Sequence, residues 1–421
     1  MLALSALGVA GAMALTACSS SGSSKSSSAG GVTTINLLAA DYGTAGTANS
    51  SQTYWQGIAD AFHAANPSIV VHVQTIPWTD YQTKTTAMFQ AKQYPDILEG
   101  DAPQEFAADN LLYPLTDVMS ASTISNLIPV FVKQEDTNNI AYGAPFTTSS
   151  RVLFYNKKLF TQAKIASPPT TWAQLESDAA AIKALPGGNI GYDMPLGTEE
   201  AQGESLMWML GNDGNYTDGT GKYAINSANN IETFQFMANL VKAGDTEAGP
   251  ATQDRKTAWA DFASGDVGMV GGSGALVPII NTAGKLQSAD WGDVAMPGKN
   301  GPLTTPLAVH DDITAFNLGG HAAQIKAFLD FAYQDKYQEQ FDNEYDLLPA
   351  TSSASAALSA SNPVDAPFLA ALPNGSQYPT NSNWTPVTKK IQNTIGAAVA
   401  SPGAASTVLG ELQAFASSSN N

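Results

Sequence analysis

Residues 143–160 read GAPFTTSSRVLFYNKKLF, and the way this stretch is read decides how the chain divides. Gly143 to Ser150 are mostly small or polar, and Pro145 donates no N–H and holds the residue before it extended. Val152-Leu153-Phe154-Tyr155 then form an apolar run of buried-strand length, followed by Lys157-Lys158. An extended segment with compact sequence on both sides reads as a crossing between two units. The first half of the stretch is therefore read as an extended connector and the second half as a short buried strand.

Length and composition agree with two units. A chain of 421 residues exceeds one ordinary core. With 43% hydrophobic and 13% charged residues it is globular and lightly charged at the surface. The balance of 37 acidic to 19 basic residues, formally −18, argues against nucleic acid and anionic headgroups as main partners. Cys18 is the only cysteine, so no intrachain disulfide forms. His63, His72, His310 and His321 lack ligand-like spacing, so neither a metal nor another cofactor is expected.

Residues 1–17, MLALSALGVAGAMALTA, are apolar and small, too short for a membrane span and built like the apolar part of a secretory signal. The basic segment that usually precedes such a run is missing, as it would be if translation began upstream of Met1. Leu15-Thr16-Ala17-Cys18 resembles the bacterial lipoprotein cleavage box, so Cys18 is expected to carry a lipid. Residues 18–31, rich in Ser and Gly, then form a flexible tether.

Outward from the opening stretch, strand and helix patterns alternate. Thr33–Leu38 reads as a strand; Trp55, Ile58, Ala59 and Phe62 keep helical spacing up to Asn66-Pro67; Ile69, Val71 and Val73 alternate as a second strand. Tyr94–Leu98 reads as a third. Beyond the crossing, Thr170 or Thr171 caps a helix bearing Leu175, Ala179 and Ile182, and Gly244 ends another. Val267–Val270 and Trp291–Pro297 read as strands, and Asn212–Gly219 as a hairpin turn rather than a calcium loop, lacking the terminal Glu. Alternation of this kind argues for α/β sheets whose ligands bind at the carboxyl ends of strands.

The order of these segments resembles the extracellular solute-binding proteins of ABC sugar importers, of the maltose-binding-protein type. The stretches that carry the resemblance are FHAANPSIVVHV (62–73), YPDILEGDAPQEFAADNLLYPLTD (94–117), YGAPFTTSSRVLFYNKKLF (142–160), PPTTW (168–172), ADFASGDVGMVGGSG (260–274), VAMPG (294–298), KAFLDF (326–331) and LLPA (347–350). The resemblance implies a two-lobed α/β fold of the type II periplasmic-binding-protein class, with a ligand cleft between lobes and three interlobe crossings. These are expected near Phe146–Arg151, His310–Ile313 and Ala350–Ser353, giving lobe 1 as residues 32–146 and 312–350 and lobe 2 as 147–311 and 351–421.

Carbohydrate recognition calls for rings against pyranose C–H faces and for planar polar side chains on hydroxyls. Carboxylates at strand ends (Asp41, Glu99, Asp101) are candidates, with helix capping or solvated loop positions as the competing reading. Tyr42 and Trp78 follow strands, and Trp78 is read equally as platform or core. Trp208, with Glu204 in the polar segment before it, is placed at the cleft by the resemblance, although LMWML also suits a core. Trp384, in a polar loop, is the first choice for stacking, and Trp259 reads as structural. Phe146, Thr148 and Arg151 on the hinge strand, Ser273 in a glycine loop that lacks the aromatic of many oligosaccharide binders, and Asp311 and Asp312 at the second crossing complete the set.

The expected function is capture of a mono- or oligosaccharide and its delivery, by open–closed lobe motion, to an ABC permease driven by a separate ATPase. No GxxxxGK[ST] loop is present in the chain itself. The protein is expected to be a monomer and no enzyme, held by lipid on the outer face of the cytoplasmic membrane. Alternatives are a polyol, glycerol phosphate or peptide as solute, or a secreted glycoside hydrolase.

Overall fold

Apolar residues fill both faces of Thr33–Asp41 (β1), which makes it a central strand. Ile69–Pro77 (β2) and Ile97–Glu99 (β3) flank it in parallel. This is a computed structural model; it describes residues 31–100, 105–361, 369–370 and 372–418. The leader, Cys18, the tether up to residue 30 and Asp101 lie outside the described residues. A short hairpin, Asp136–Thr137 (β4) with Ile140–Ala141 (β5), precedes the opening stretch.

Gly143–Ser150 (β6) is a strand with every residue buried, not a bare connector. It lies antiparallel between Ala308–Ala315 (β11) and Leu348–Pro349 (β12), and the first sheet runs β12-β6-β11-β3-β1-β2. Val152–Asn156 (β7), Ile190–Asp193 (β8), Val267–Gly272 (β9) and Trp291–Val294 (β10) form the second sheet, ordered β10-β7-β9-β8. The two sheets with their helices are the two lobes.

Each sheet is covered on both faces. In lobe 1, Ile35, Leu37 and Ala39 pack with Trp55, Phe62, Phe328 and Phe341, while Leu38 and Ala40 on the other face pack with Ile76, Tyr81 and Phe316. In lobe 2, Leu153 faces a core holding Trp208, Phe234, Val387 and Leu409, and Val152 and Phe154 face Trp259, Phe262 and Ile280. Local signals set helix ends as expected. Thr171, not Thr170, is the N-cap, in a capping box with Gln174, and Gly244 closes its helix at φ 74°. In the Asn212–Gly219 segment, Asp218 accepts hydrogen bonds from the Thr220 and Lys222 amides and so holds the turn itself.

The chain leaves lobe 1 later than the sequence suggests. Thr147–Ser150 still pair with β11, whose His310 and Asp311 sit opposite Thr148 and Thr147, so both segments belong to the first sheet. The break falls at Arg151 and Leu307, where the Arg151 amide donates to the Leu307 carbonyl at 3.0 Å. After β12 the helix Ser352–Ser361 stays with lobe 1, Leu358 packing beside Leu348, and the chain joins lobe 2 only after it. Backbone pairing, which sequence periodicity does not report, decides these boundaries.

Candidate functional site

Because β1, β2 and β3 are parallel, their carboxyl ends share one edge and bring Tyr42, Trp78 and Glu99 together. The Tyr42 and Trp78 rings meet edge to face at 5.5 Å, and both are half-buried. Tyr42 Oη lies 2.8 Å from Glu99 Oε1 and 2.7 Å from Asp311 Oδ2. A phenol has one proton to donate, so one of the two carboxyls must bring its own. Glu99 is the group to carry it: burial, then the neighbouring Asp311, push it well above the usual carboxylate range. Burial also raises Asp311, and the Tyr42 hydroxyl partly offsets that rise.

The charges of lobe 2 reach Asp311 as well, Glu200 raising its carboxyl and Arg151 lowering it. Arg151 Nη2 donates to both Glu200 oxygens, at 2.6 and 2.8 Å, and Arg255 pairs with Glu199 and Glu200 while its guanidinium lies 4.9 Å from the Trp259 ring centroid. Tyr378 Oη adds a 3.3 Å bond to Glu200. Burial would raise the Glu200 carboxyl, but Arg151 and Arg255 hold it below its usual range. Glu204, one helical turn on, is buried with neither oxygen hydrogen-bonded to protein, and burial, then Glu200, push it up to about 8. Ser150 Oγ, Arg151 Nε, Glu199 Oε2 and Arg255 Nε are likewise buried without a protein partner. Native interiors rarely leave such groups unpaired; six buried atoms without a protein partner fall on this group, and a polar ligand or water would satisfy them.

The lobes touch here. An ideal Cβ on Gly274, in the loop after β9, would stand 2.1 Å from the Asp346 carbonyl oxygen of lobe 1, and Ala275 packs against the cores of both lobes. Ser273 is buried at the start of that loop. Trp259 is buried and donates its indole N–H to the Gly271 carbonyl.

Six candidates take structural places instead. Asp41 accepts from the Gly43 and Ser51 amides and the Ser50 hydroxyl, which ties the loop to the following helix. Phe146 is 1% exposed and packs on Trp55 and Phe341. Thr148 donates to the Leu348 carbonyl and pins β12 to β6. Trp208 is 1% exposed, its ring against Tyr192 and Trp172. Trp384 is not in a polar loop: it begins the helix Trp384–Thr394, is 8% exposed, and lies between Tyr216 and Tyr378. Asp312 shares a buried pocket with Glu135 and His310: its Oδ2 and Glu135 Oε2 both stand 2.8 Å from where a Cβ on Gly143 would be, and His310 Nε2 lies 2.9 Å from Glu135 Oε1. Burial, then Glu135, raise it well above the usual range.

Sequence reasoning missed Glu199, Glu200, Arg255 and Tyr378. The pairing of Glu199 and Glu200 just past β8 was the available signal, being a strand-end acidic pair like those noted in lobe 1. A groove of about 900 Å³ also opens in lobe 2, between Leu210–Gly219 and Gly298–Thr305, and none of the candidate residues lines it.

Residues 57–369 match the sequence model of the bacterial extracellular solute-binding proteins. A binding protein of Brucella abortus is 26% identical over 378 residues, covering 86% of this chain and 89% of its own. The sn-glycerol-3-phosphate-binding periplasmic protein UgpB of Agrobacterium fabrum is 26% identical over 290 residues, 64% of each chain. The fold is similar to that of maltose-bound MalE3 of T. maritima, with a TM-score of 0.78 at 20% identity, over 92% of this chain and 99% of that one. Family, fold and the placement of polar groups between two lobes agree, and the chain belongs to the bacterial extracellular solute-binding proteins.

Proposed function

We propose that this solute-binding protein captures a carbohydrate, a mono- or oligosaccharide, between its lobes and delivers it to an ABC permease powered by a separate ATPase. The observation that carries this reading is the group of buried, unpartnered polar atoms around Arg151, Glu204 and Arg255, reached from lobe 1 through Tyr42 and Asp311. Hydroxyl groups, each donor and acceptor, satisfy such a mixed set. Trp78, half-buried at the end of β2, is the ring available to a pyranose face. MalE3 in its maltose-bound form supports the class of ligand by its shared fold. Ligand bridging both lobes then favours the closed form that a permease reads.

The relatives named for sn-glycerol 3-phosphate point to a second reading. A phosphate calls for guanidinium groups free to fork onto it. Here Arg151 and Arg255 already fork onto Glu199 and Glu200, and the surroundings are acidic. Delivery from the outer face of the membrane fits a lipid at Cys18, and no helix among the described residues is long and apolar enough to cross a bilayer.

A thermal-shift screen tests the assignment, using neutral mono- and oligosaccharides beside sn-glycerol 3-phosphate. A sugar at a hundred times its Kd is expected to stabilise the protein by about 2.7 kcal/mol. Stabilisation by the phosphate ester alone would transfer the assignment to the second reading.

A further inference from the structure

We infer that a proton held between Glu135 and Asp312 latches the lobes at their hinge, and that its loss as pH rises lets them open; this rests on the reading that the lobes close on a solute, not on which solute. The two acids meet where the chain crosses between lobes. Glu135 follows the helix Pro129–Gln134 of lobe 1, and His310 and Asp312 stand on β11 just after the break at Leu307. Both carboxyls crowd Gly143, the first residue of β6. Gln134 donates its side-chain amide to the carbonyl of Tyr378, on the chain returning to lobe 2, and the Tyr378 hydroxyl reaches Glu200. Phe131 of the same helix packs on the His310 ring at 5.1 Å and shares a buried cluster with Ala308 and Leu372. One short helix and the residue after it thus touch all three crossings.

Two buried carboxyls in contact do not both ionise, so the pair keeps one proton and hydrogen-bonds through it. Burial pushes the Glu135 carboxyl up to about 7, with the bond to Asp312 offsetting part of the rise and Asp136 adding to it. Burial also holds the His310 ring below its usual range, so the ring is neutral, and its one N–H, at Nε2, donates to Glu135 Oε1. The other titratable groups facing the pair are Asp311 on β11, Glu99 at the end of β3 and Tyr333, whose hydroxyl donates to the Ala144 and Pro145 carbonyls. Among the described residues no lysine or arginine ion-pairs with either acid, Lys133 of the same helix included. Loss of the proton to solvent therefore leaves two like charges in one pocket with no cation to answer them. Parting the Pro129–Gln134 helix from β11 relieves them, and releases the Gln134–Tyr378 hold on lobe 2. Both carboxyls are raised in the closed form, so the latch is complete in acid and is lost as pH climbs through about 7.

Small-angle scattering of the unliganded protein tests the latch between about pH 5.5 and about pH 9, which bracket the Glu135 value of about 7. The wild-type radius of gyration is expected to rise across that span. Glu135→Gln, whose amide keeps a donor towards Asp312 at every pH, should lose most of the rise, and so should Asp312→Asn. A merely structural role for either acid would move the radius equally at all pH values. Thermal unfolding checks that each variant is folded. A wild-type radius that does not change with pH overturns the latch, as does a rise that the folded variants keep. No ligand enters the experiment, so either result leaves the solute-binding reading untouched, and the saccharide screen decides that reading by itself. One folded variant suffices for the comparison, and a flat wild-type profile needs none.

Discussion

In lobe 1, three parallel strands end at Tyr42, Trp78 and Glu99, so rings and carboxyls come together directly from strand termini. In lobe 2, the residues after β8 and the helix Arg255–Ser264 deliver an ion-pair lattice, and the large rings Trp208 and Trp384 turn inward to the core. The same residue type thus has opposite roles on the two sides. A tryptophan just past a parallel strand stays at the cleft edge. One on a helix with an apolar stripe is drawn into packing, whatever its polar neighbours in sequence.

The largest expected effect tests the inward half of that contrast. Trp384 is buried against Tyr216 and Tyr378 within the lobe 2 core. Trp384→Ala should cost about 3–5 kcal/mol of stability, the range for removing a large core aromatic. Denaturant unfolding measures it. A loss of affinity with the unfolding midpoint unchanged would return Trp384 to the cleft and erase the contrast between the lobes.

Trp78 should behave in the opposite way. Its half-buried ring packs on Tyr42 and Tyr81, and the part left exposed is the part proposed to meet a ligand. Trp78→Ala is expected to weaken ligand binding by about 1.5–3 kcal/mol, the value of burying one large apolar side chain, with a smaller change in melting temperature. Calorimetry and thermal unfolding on the same preparation separate the two. If stability fell and affinity held, the ring would be core on this side as well.

How much of this was legible depends on the range of the interaction that decides each feature. The helical spacing of Trp55 to Phe62, a cap at Thr170 or Thr171 and the Gly244 stop follow from residues within a turn of one another and are legible directly; only the choice of Thr171 needs the structure. That Tyr42, Trp78 and Glu99 lie together is legible because parallel strands align their ends, a rule needing only strand order. The Glu200–Arg151–Arg255 lattice is not legible, because its members are 49 and more residues apart and the strand-end pair Glu199-Glu200 does not by itself name its partners. The inward turn of Trp384 was missed for a related reason. Burial of a helix's first residue is set by the strands and helices it meets, here through Tyr216 and Tyr378, not by the Asn, Thr and Pro beside it.

The smallest expected effect concerns how the two unlike faces are brought together. Gly274 of lobe 2 approaches the Asp346 carbonyl of lobe 1 so closely that a methyl group there would overlap a backbone oxygen. Backbone atoms do not swing aside as a side-chain end does, so Gly274→Ala must be relieved by a shift of one lobe against the other. Overpacking of this kind costs about 1–3 kcal/mol. Each lobe has its own core, so the cost falls on the closed arrangement and not on folding. A ligand that bridges both lobes must then supply that energy, and its apparent affinity drops in proportion to the population of the closed state. The expected result is weaker binding with the unliganded melting temperature unchanged, together with a larger radius of gyration in solution scattering. A lower melting temperature with affinity intact would mean that the Gly274–Asp346 contact is fixed packing. The two lobes would then meet there as one body, and the difference between their cleft faces would have to work without closure.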